Sequence, residues 1–343
     1  MTPEPRHILV IHFGQLGDVV LSLPALRLIR ERFPHARITV TTGRPNIPVI
    51  ELSGYADDTL AVDRVAIRDG SKLLAGLRIA KVVRDVRRRR FDFVIDLHSL
   101  SETNLLGLLS GAPRRLYAKR RNSLDYLANV RGVPGEDLTK HVVERYLDAL
   151  APLGVRSLSD GERTPQIKTH PEDERAVTEL LRKTGVPTDA PLIGIFPGAG
   201  HPSKRWDITR FIELARWIER EADGRAIFFV GPEERDITIA VRAALGRDAL
   251  ILDRLTIPQL AAALARLSVL VSNDTGPVHV AAAMNTPTVV LVNRPTPNGF
   301  APVGSHHHVI YAESLERITV PEVYQATHRT LSRTNRTASI FAS

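Results

Sequence analysis

Apolar and polar residues alternate along this chain with two different periods. Short continuous apolar runs, such as residues 7–12, are typical of strands buried in parallel sheets. Residues 19–32 instead place apolar side chains every three or four positions, and this spacing predicts an amphipathic helix. A second apolar run follows at 37–42. This strand–helix–strand opening predicts an α/β fold.

The alternation continues in two blocks on either side of a polar segment. The first block predicts helices at 45–52, 71–90, 101–109 and 139–150, and strands at 58–62, 91–97 and 114–117. The second block predicts helices at 171–184, 208–222, 233–245, 257–266 and 275–284, and strands at 191–196, 226–230, 249–252, 267–271 and 286–292. Residues 154–170 between the blocks are polar and rich in Ser, Pro and Gly, which predicts a linker.

Two domains and a tail follow from this pattern. We expect one domain over residues 1–160, a second over 171–320, and a tail at 321–343 that begins with a short helix. A chain of 343 residues is long enough for two such domains. Each block predicts polar loops at the carboxyl ends of its strands, where open α/β sheets bind ligands. Two domains of this kind facing each other would form a cleft between them.

Composition narrows the classes of partner. The net charge of +8 favours an acidic partner, either nucleic acid, anionic lipid or a phosphorylated substrate, although a solvated arginine-rich surface explains it equally well. Aromatic residues make up 5% of the chain and no basic strand is studded with them, so we expect no nucleic acid partner. The absence of cysteine excludes disulfides, thiolate metal sites and a cysteine nucleophile.

No part of the sequence resembles a membrane segment. No apolar run approaches the roughly 20 residues that a bilayer-spanning helix needs. Residues 1–6 lack the apolar centre of a signal peptide. We therefore expect a cytoplasmic protein, with peripheral contact at the cytoplasmic face of a membrane as a further option.

The segment from Ser272 to His279 predicts an anion site. It follows the apolar run 267–271 and precedes a small-residue helix. A tight turn between a strand and a helix directs several backbone N–H groups, here those of Thr275 and Gly276, at one point. Asp274 either caps the helix or accepts hydrogen bonds from sugar hydroxyls. His279 lies one turn after Thr275 and either hydrogen-bonds a phosphate or is merely structural.

Two more loops in the second block suit a nucleotide ligand. The stretch 196–206, FPGAGHPSKRW, combines glycines that permit close backbone approach with the cations Lys204 and Arg205, as a diphosphate requires. A flexible surface loop is the plainer alternative. Residues 231–235, GPEER, place acids where they hold ribose hydroxyls or simply favour a helix N-terminus.

The loop after the first strand contains the candidate base. Gly14-Gln15-Leu16-Gly17-Asp18 has two glycines rather than three, and no acid ends the second strand, which argues against a dinucleotide fingerprint. Asp18 is either the N-cap of the first helix or a carboxylate that accepts a proton from an attacking hydroxyl. No H-E-x-x-H, D-x-D or G-x-S-x-G motif occurs, so we expect no metal and no serine elbow. The run His306-His307-His308 predicts an exposed loop.

Four segments together resemble the ADP-heptose:lipopolysaccharide heptosyltransferases, glycosyltransferase family 9. These segments are ILVIHFGQLGDVVLSLPALRLIRERFP, FDFVIDLHSL, FPGAGHPSKRW and VSNDTGPVHVAAA, and they follow the family's order and spacing over residues 7–303. The resemblance implies a GT-B fold, two Rossmann-like domains facing across a cleft. It also implies a metal-independent, inverting transfer of a heptose from ADP-heptose to the lipopolysaccharide inner core, with no cofactor beyond that donor.

The resemblance assigns roles to individual residues. Asp18 corresponds to the family's proposed general base, in an acceptor loop that includes Gln15 and Gly17. The donor-binding residues that it implies are Gly198, Gly200, Lys204, Glu233 or Glu234, Leu255, Asp274, Thr275, Gly276 and His279. The N-terminal domain would bind the lipopolysaccharide-core acceptor, and the C-terminal domain the nucleotide sugar. The tail helix would return to the N-terminal domain.

Some segments depart from the family pattern and leave alternatives open. Residues 285–287 read NTP where the family often reads GTP, and residues 292–297 read VNRPTP where it often reads FGPTDP. The alternatives are a transferase or epimerase of the same fold that uses another nucleotide sugar, and a non-catalytic nucleotide-sugar-binding protein. From charge alone, the basic cluster 114–121 is a candidate for contact with an acidic acceptor or an anionic membrane face.

Overall fold

The computed structural model describes residues 4–64, 66, 69, 71–184, 190–221, 224–231, 234–246, 249–293 and 299–341, without the side chains of residues 235 and 333–341. The chain forms two compact units, residues 1–165 and 166–343. The division between them falls inside the polar segment 154–170. Each unit is built around its own parallel sheet, as the α/β pattern predicts.

The sheet of the first unit has the strand order β3-β2-β1-β4-β5. Its strands are β1 (His7–Ile11), β2 (Arg37–Gly43), β3 (Asp58–Val62), β4 (Phe93–Asp96) and β5 (Arg114–Tyr117). The central strand β1 pairs with β2 on one side and β4 on the other, so that Ile8 lies between Ile38 and Phe93. All three side chains are fully buried, which explains why β1 is a continuous apolar run.

Helices pack around this sheet, and one predicted helix is divided. The helices are α1 (Leu16–Leu21), α2 (Leu23–Arg32), α3 (Ile47–Ser53), α4 (Lys72–Arg88), α5 (Ser101–Leu109) and α6 (Val142–Asp148). The prediction of one helix over 19–32 was wrong, because α1 ends before Ser22 and α2 begins with Leu23 and Pro24. Proline has no N–H for the helical ladder but is tolerated in a first turn, so the chain restarts a helix there.

The sheet of the second unit has the order β11-β10-β9-β6-β7-β8. Its strands are β6 (Leu192–Phe196), β7 (Arg225–Val230), β8 (Leu250–Asp253), β9 (Val269–Asn273), β10 (Thr288–Val292) and β11 (His307–Tyr311). Its helices are α7 (Pro171–Lys183), α8 (Ile208–Glu221), α9 (Arg235–Leu245), α10 (Ile257–Leu264), α11 (Gly276–Ala283) and α12 (Val320–Phe341). None of the helices in the described residues is long and apolar enough to cross a membrane.

The C-terminal part of the chain differs from the sequence prediction. His307 and His308 belong to β11, which pairs with β10, so the prediction of a loop was wrong for these two residues. His308 is exposed, and His306 lies in the turn before the strand. The tail helix is also longer than its predicted start, and Val323 and Ala326 in its first turns are buried in the core of the second unit. Its return to the N-terminal domain stays a prediction.

In both sheets the order in which strands are added reverses at the first strand. In each unit the second and third strands extend to one side of the first strand, and the fourth strand lies on its other side. This is the strand order of Rossmann-like domains, so that prediction is confirmed. Ligands of such sheets bind outside the carboxyl ends of the strands, where the order reverses. The two places to examine are therefore the loops after β1 and β4, and those after β6 and β9.

Candidate active site

Asp18 lies in the first turn of α1, beside the point where the first sheet reverses. The N-cap of α1 is Gln15 and Asp18 is the third helical residue, so the prediction that Asp18 is the N-cap was wrong. The backbone N–H of Gln15 donates to Oδ2 of Asp18 at 3.1 Å. Asp18 thus fixes the start of the helix from inside its first turn, while its side chain stays partly exposed. Gly17 is the residue before it in the same turn.

Gly14 allows this loop to close tightly. A Cβ atom placed on Gly14 would lie 2.5 Å from Cβ of Asp18 and 2.7 Å from Cε1 of His12, which is closer than real Cβ atoms approach other atoms. The carbonyl of Gly14 also accepts a hydrogen bond from Nδ2 of Asn46 at 3.0 Å. Contacts on both sides therefore hold the position of the Asp18 side chain.

Two histidines that the sequence analysis did not select lie behind this loop. His12 follows β1 and His98 follows β4, and their ring centroids are 5.2 Å apart. Burial lowers the pKa of His98 to about 4, helped by the charges of Arg64 and Arg120. Burial also lowers the pKa of His12 well below its ordinary value, so both rings are neutral at pH 7. The sequence could have indicated this pair, because one histidine ends a predicted strand and the other directly follows a predicted strand.

Tyr146 of α6 completes this buried polar group. Its ring centroid is 5.1 Å from that of His12, and the guanidinium of Arg120 lies 5.4 Å from the Tyr146 ring centroid. Burial raises the pKa of Tyr146 well above its ordinary value, and the negative charge of Asp18 raises it further. Arg120 is itself paired with Glu136 at 2.5 Å. A neutral phenol and a fixed cation thus lie close to the Asp18 loop.

In the second unit, an ion pair joins the loops after β6 and β9. Nζ of Lys204 lies 3.0 Å from Oδ2 of Asp274, and both side chains remain partly exposed. Since β6 and β9 are the strands between which the second sheet reverses, this pair marks the expected ligand position. The sequence predicted both residues for the site but not their contact.

The turn after β9 leads into α11 as expected, with one correction. Thr275 is the N-cap and has an extended backbone, whereas the helix begins at Gly276. The option that Asp274 caps the helix is therefore wrong. The prediction that His279 lies one helical turn after Thr275 is also wrong, because Thr275 precedes the helix. Asp274, Thr275 and Gly276 are partly exposed although both flanks of the turn are buried, so the first N–H groups of α11 lie at an accessible position.

His279 points into the interior of the second unit. It is 5% exposed, and its electrostatic interaction with His307 of β11 contributes to lowering the pKa of His307. Burial lowers the pKa of His307 to about 3, and the hydroxyl oxygen of Thr288 lies 3.0 Å from its Nδ1. His279 is therefore part of a buried polar group beneath the turn.

A buried carboxylate connects the loops after β6 and β7. Glu234 is 8% exposed, and its Oε2 accepts a hydrogen bond from the backbone N–H of Gly231 at 3.1 Å. A Cβ atom on Gly198 would overlap the Glu234 carboxylate, whereas one on Gly200 would meet nothing within 4 Å. Of the two alternative acids, Glu234 therefore contacts the glycine loop. Glu233 lies outside the described residues, as does most of the loop at 292–297.

Asn273, at the end of β9, holds the glycine loop in place. Its Nδ2 donates to the carbonyl of Pro197 at 2.8 Å, and its Oδ1 accepts from the backbone N–H of Trp206 at 3.0 Å. The Trp206 indole is buried and donates to the carbonyl of Ile318 at 3.0 Å. The sequence pattern predicts a ligand-binding turn here and does not reveal the internal role of Asn273.

Leu255 lies in the connection that follows β8. It is half-buried and immediately precedes Thr256, whose hydroxyl caps α10 by accepting from the N–H of Gln259 at 3.3 Å. The predicted donor residues in the described part of the chain therefore follow β9, β6, β7 and β8, four adjacent strands of one sheet. Among the described residues, no group of three or more His, Asp or Glu side chains has the geometry of a metal site.

Comparison with known proteins supplies independent information. The family model for glycosyltransferase family 9 (heptosyltransferase) matches residues 79–324. Lipopolysaccharide heptosyltransferase 2 of Escherichia coli (strain K12) is 26% identical over 309 residues, which cover 87% of this chain and 86% of that protein.

Solved structures agree with this match. A glycosyl transferase of family 9 from Veillonella parvula DSM 2008 superimposes with a TM-score of 0.83 and 24% identity, covering 96% of this chain and 97% of that one. The E. coli ADP-heptose lps heptosyltransferase II gives a TM-score of 0.78, also at 24% identity, with coverage of 96% and 99%. These likenesses confirm the predicted GT-B fold.

Proposed function

We propose that this chain, which belongs to glycosyltransferase family 9, transfers a heptose from ADP-heptose to an acceptor of the lipopolysaccharide inner core. Family membership makes the chain a glycosyltransferase, and the donor, the acceptor and the residue roles are the proposal. The observation that supports it most is the ion pair of Lys204 and Asp274 beside the N-terminus of α11, where the second sheet reverses.

The donor's diphosphate binds at this ion pair in our proposal. The ammonium of Lys204 is held by Asp274 close to the turn that presents the N–H groups of Thr275 and Gly276. A cation and converging N–H groups are the two features that bind a diphosphate without a metal. The same groups stabilise the negative charge that develops on the nucleotide diphosphate as it leaves.

The nucleoside and sugar extend over the neighbouring loops. The carboxylate of Glu234 packs against Gly198 of the glycine loop and accepts a hydrogen bond from Gly231 after β7. It therefore sets the distance between these two loops. Leu255, half-buried after β8, offers an apolar surface to the base. The open space at Gly200 leaves room for the ligand to approach the backbone. Asp274 accepts hydrogen bonds from the sugar hydroxyls in addition to pairing with Lys204.

Asp18 is the general base of the proposed reaction. The acceptor hydroxyl oxygen forms a bond to the anomeric carbon, and the bond from that carbon to the diphosphate oxygen breaks. The hydroxyl proton passes to the Asp18 carboxylate, and the electron pair of the broken bond leaves with the nucleotide diphosphate. Attack from the face opposite the leaving group inverts the anomeric configuration. The hydrogen bond from Gln15 orients the carboxylate for this step.

The polar group behind Asp18 keeps the base in position. Gly14 lets the side chain of Asp18 and the ring of His12 both lie close to its Cα, and neutral His12 and His98 add no charge that would compete for the carboxylate. Arg120, beside Tyr146, is a fixed cation in the same group. We propose that the acceptor binds on the exposed side of this loop, next to Gln15 and Gly17.

A ligand-binding experiment tests the donor site. The full chain is titrated with ADP, UDP, GDP and ADP-heptose while its Tm is measured. We expect ADP and ADP-heptose to raise the Tm, and Lys204→Ala to weaken their binding by about tenfold or more, because a charge-assisted hydrogen bond contributes roughly 1.5–3 kcal/mol. Arg182→Ala, on the distant helix α7, is the matched control and should respond as wild type.

Product analysis separates the proposed reaction from its alternatives. With ADP-heptose and a core acceptor, we expect release of ADP and formation of a glycosylated acceptor. Conversion of the donor without an acceptor would indicate an epimerase. Donor binding without ADP release for any acceptor would indicate a binding protein. A Lys204→Ala variant with unchanged donor affinity would contradict the site itself.

A further inference from the structure

Helix α4 has an outward-facing stripe that is apolar in its first half and basic in its second half. Leu73, Leu77, Lys81, Arg84 and Arg88 follow one another at spacings of four, four, three and four residues, so their side chains share one face of the helix. Leu73 is 76% exposed and Leu77 is 61% exposed. The stripe therefore begins with two exposed leucines and continues with three exposed cations.

The opposite face of the same helix is committed to the core of the first unit. Val86 is completely buried, and Val82 and Val83 pack against the cluster that contains it. Leu73 and Leu77 are not part of this cluster, so the packing of the unit does not explain the outward leucines. Burying a leucine side chain is favourable by about 1.5–3 kcal/mol of free energy. This exposed face is therefore suited to binding an apolar partner.

A separate apolar surface lies on the other side of α4 from the stripe, where Ile79 shares a helical face with Val82 and Val83. A groove of about 640 Å³ between α4 and α5 is lined by Ile79, Leu105 and Leu109, and at its end by Phe13 and Gln15. Ile79, Leu105 and Leu109 are themselves 49%, 44% and 39% exposed. This groove thus extends from the inner side of α4 across α5 to Phe13 and Gln15, and it is distinct from the stripe that contains Leu73 and Leu77.

The charge of α4 identifies the kind of partner. Six of its residues are basic, namely Lys72, Arg78, Lys81, Arg84, Arg87 and Arg88, and Asp85 is its acidic residue. A helix with exposed leucines and this excess of cations is suited to the interface of an anionic bilayer, where leucines enter the acyl boundary and cations meet phosphates.

The basic cluster at 114–121 is a weaker candidate for the same partner. The guanidinium of Arg114 stacks on the ring of Phe93 at 4.5 Å. Arg115 donates to the carbonyls of Leu127 and Ala112 at 3.1 and 2.8 Å. Such internal contacts engage these side chains within the unit, whereas the stripe on α4 is directed outwards.

We propose that α4 docks the protein on an anionic phospholipid bilayer, with Leu73 and Leu77 in the interface and Lys81, Arg84 and Arg88 at the lipid phosphates. The docking does not depend on the proposed reaction. If that reaction is also right, docking keeps the protein at the surface where a membrane-anchored acceptor lies.

Vesicle sedimentation of the full chain tests the docking. We expect binding to vesicles of phosphatidylethanolamine with phosphatidylglycerol, and much weaker binding to vesicles of phosphatidylcholine alone. Leu73→Gln with Leu77→Gln should weaken the binding by about tenfold or more, since both side chains lose their burial in the interface. Lys81→Glu with Arg88→Glu should weaken it by at least about tenfold and make it less dependent on salt.

Matched controls distinguish an effect of α4 from the effect of removing any exposed leucine or of changing the net charge. Leu138→Gln changes a leucine that is 72% exposed elsewhere in the first unit. Arg175→Glu with Arg182→Glu changes the net charge by the same amount on the exposed face of α7. Both control variants should bind vesicles as wild type does, and all variants should keep the wild-type Tm because the changed side chains are exposed.

The alternative occupant of this face is a second copy of the chain. Concentration-dependent self-association that Leu73→Gln with Leu77→Gln abolishes, without vesicle binding by the wild type, would overturn the proposal. Unchanged vesicle binding by both α4 double variants would also overturn it. Turnover on a water-soluble, deacylated acceptor tells the two proposals apart. The α4 variants should still turn over this acceptor, whereas no variant and no wild-type protein would do so if the proposed reaction were wrong.

Discussion

At the scale of single residues, each unit places a glycine against an acidic side chain. Gly14 lies against Asp18 in the loop after β1, and Gly198 lies against Glu234 beyond β6. The sequence predicted the acids and glycines as separate features, because they are four and 36 positions apart and no local rule connects them. The pair of buried His12 and half-buried His98 was missed for the same reason, since its two members come together only when β1 and β4 are adjacent.

The neutral state of His98 makes the stability of the first unit sensitive to acid. Its folded pKa of about 4 lies below the value of about 6.5 expected in the unfolded chain. Between these values the unfolded chain binds a proton that the folded chain does not, so stability falls as the pH drops below about 6.5. From pH 7 to pH 5 we expect wild type to lose about 2 kcal/mol more than His98→Gln does.

Urea denaturation followed by circular dichroism at the two pH values measures this difference. His35→Gln is the control, because His35 is exposed and its replacement should leave the acid sensitivity unchanged. An equal loss of stability in wild type and His98→Gln would mean that His98 is not held neutral by burial.

At the scale of elements, most strands were predicted from the sequence, but strand β11 and the break between helices α1 and α2 were not. Continuous apolar runs such as Val269–Val271 are fully buried, and this burial is what the sequence pattern records. β11 was missed because its histidines look polar, although burial keeps His307 neutral beside Thr288. The break between α1 and α2 was missed because Pro24 is as acceptable in a first turn as it is near the start of a longer helix.

The contact between the loops after β6 and β7 gives a test at this scale. Gly198→Ala would force the glycine loop away from the Glu234 carboxylate, because the added methyl group overlaps it. We expect a loss of about 1–3 kcal/mol in stability, the usual cost of overpacking, together with weaker donor binding.

The same loop offers its own control. Gly200→Ala adds the same methyl group two residues later, where nothing lies within 4 Å, so its Tm should equal that of wild type. Thermal unfolding of the two variants side by side is the measurement. Equal Tm values for Gly198→Ala and wild type would show that Glu234 does not pack against this loop.

At the scale of the whole molecule, two Rossmann-like units each place candidate residues where the strand order reverses. The Asp18 loop follows β1, and Lys204 and Asp274 follow β6 and β9. The sequence predicted these positions because turns after buried strands are visible in it. The tertiary roles of Asn273 and Trp206 were not visible, since their hydrogen bonds span dozens of residues to Pro197 and Ile318. Likewise, the sequence showed α4 as a basic helix but not which face is exposed.

The account depends most on Asp18 as the base that accepts the acceptor's proton. Asp18→Asn keeps a side-chain oxygen for the hydrogen bond from Gln15, so the helix start, the Tm and the affinity for ADP should stay as in wild type. The measurement is acceptor-dependent release of ADP from ADP-heptose by Asp18→Asn. The account predicts a rate reduced by about 10²–10⁴-fold, the usual contribution of a general base. Release at the wild-type rate by a folded, donor-binding Asp18→Asn variant would contradict it.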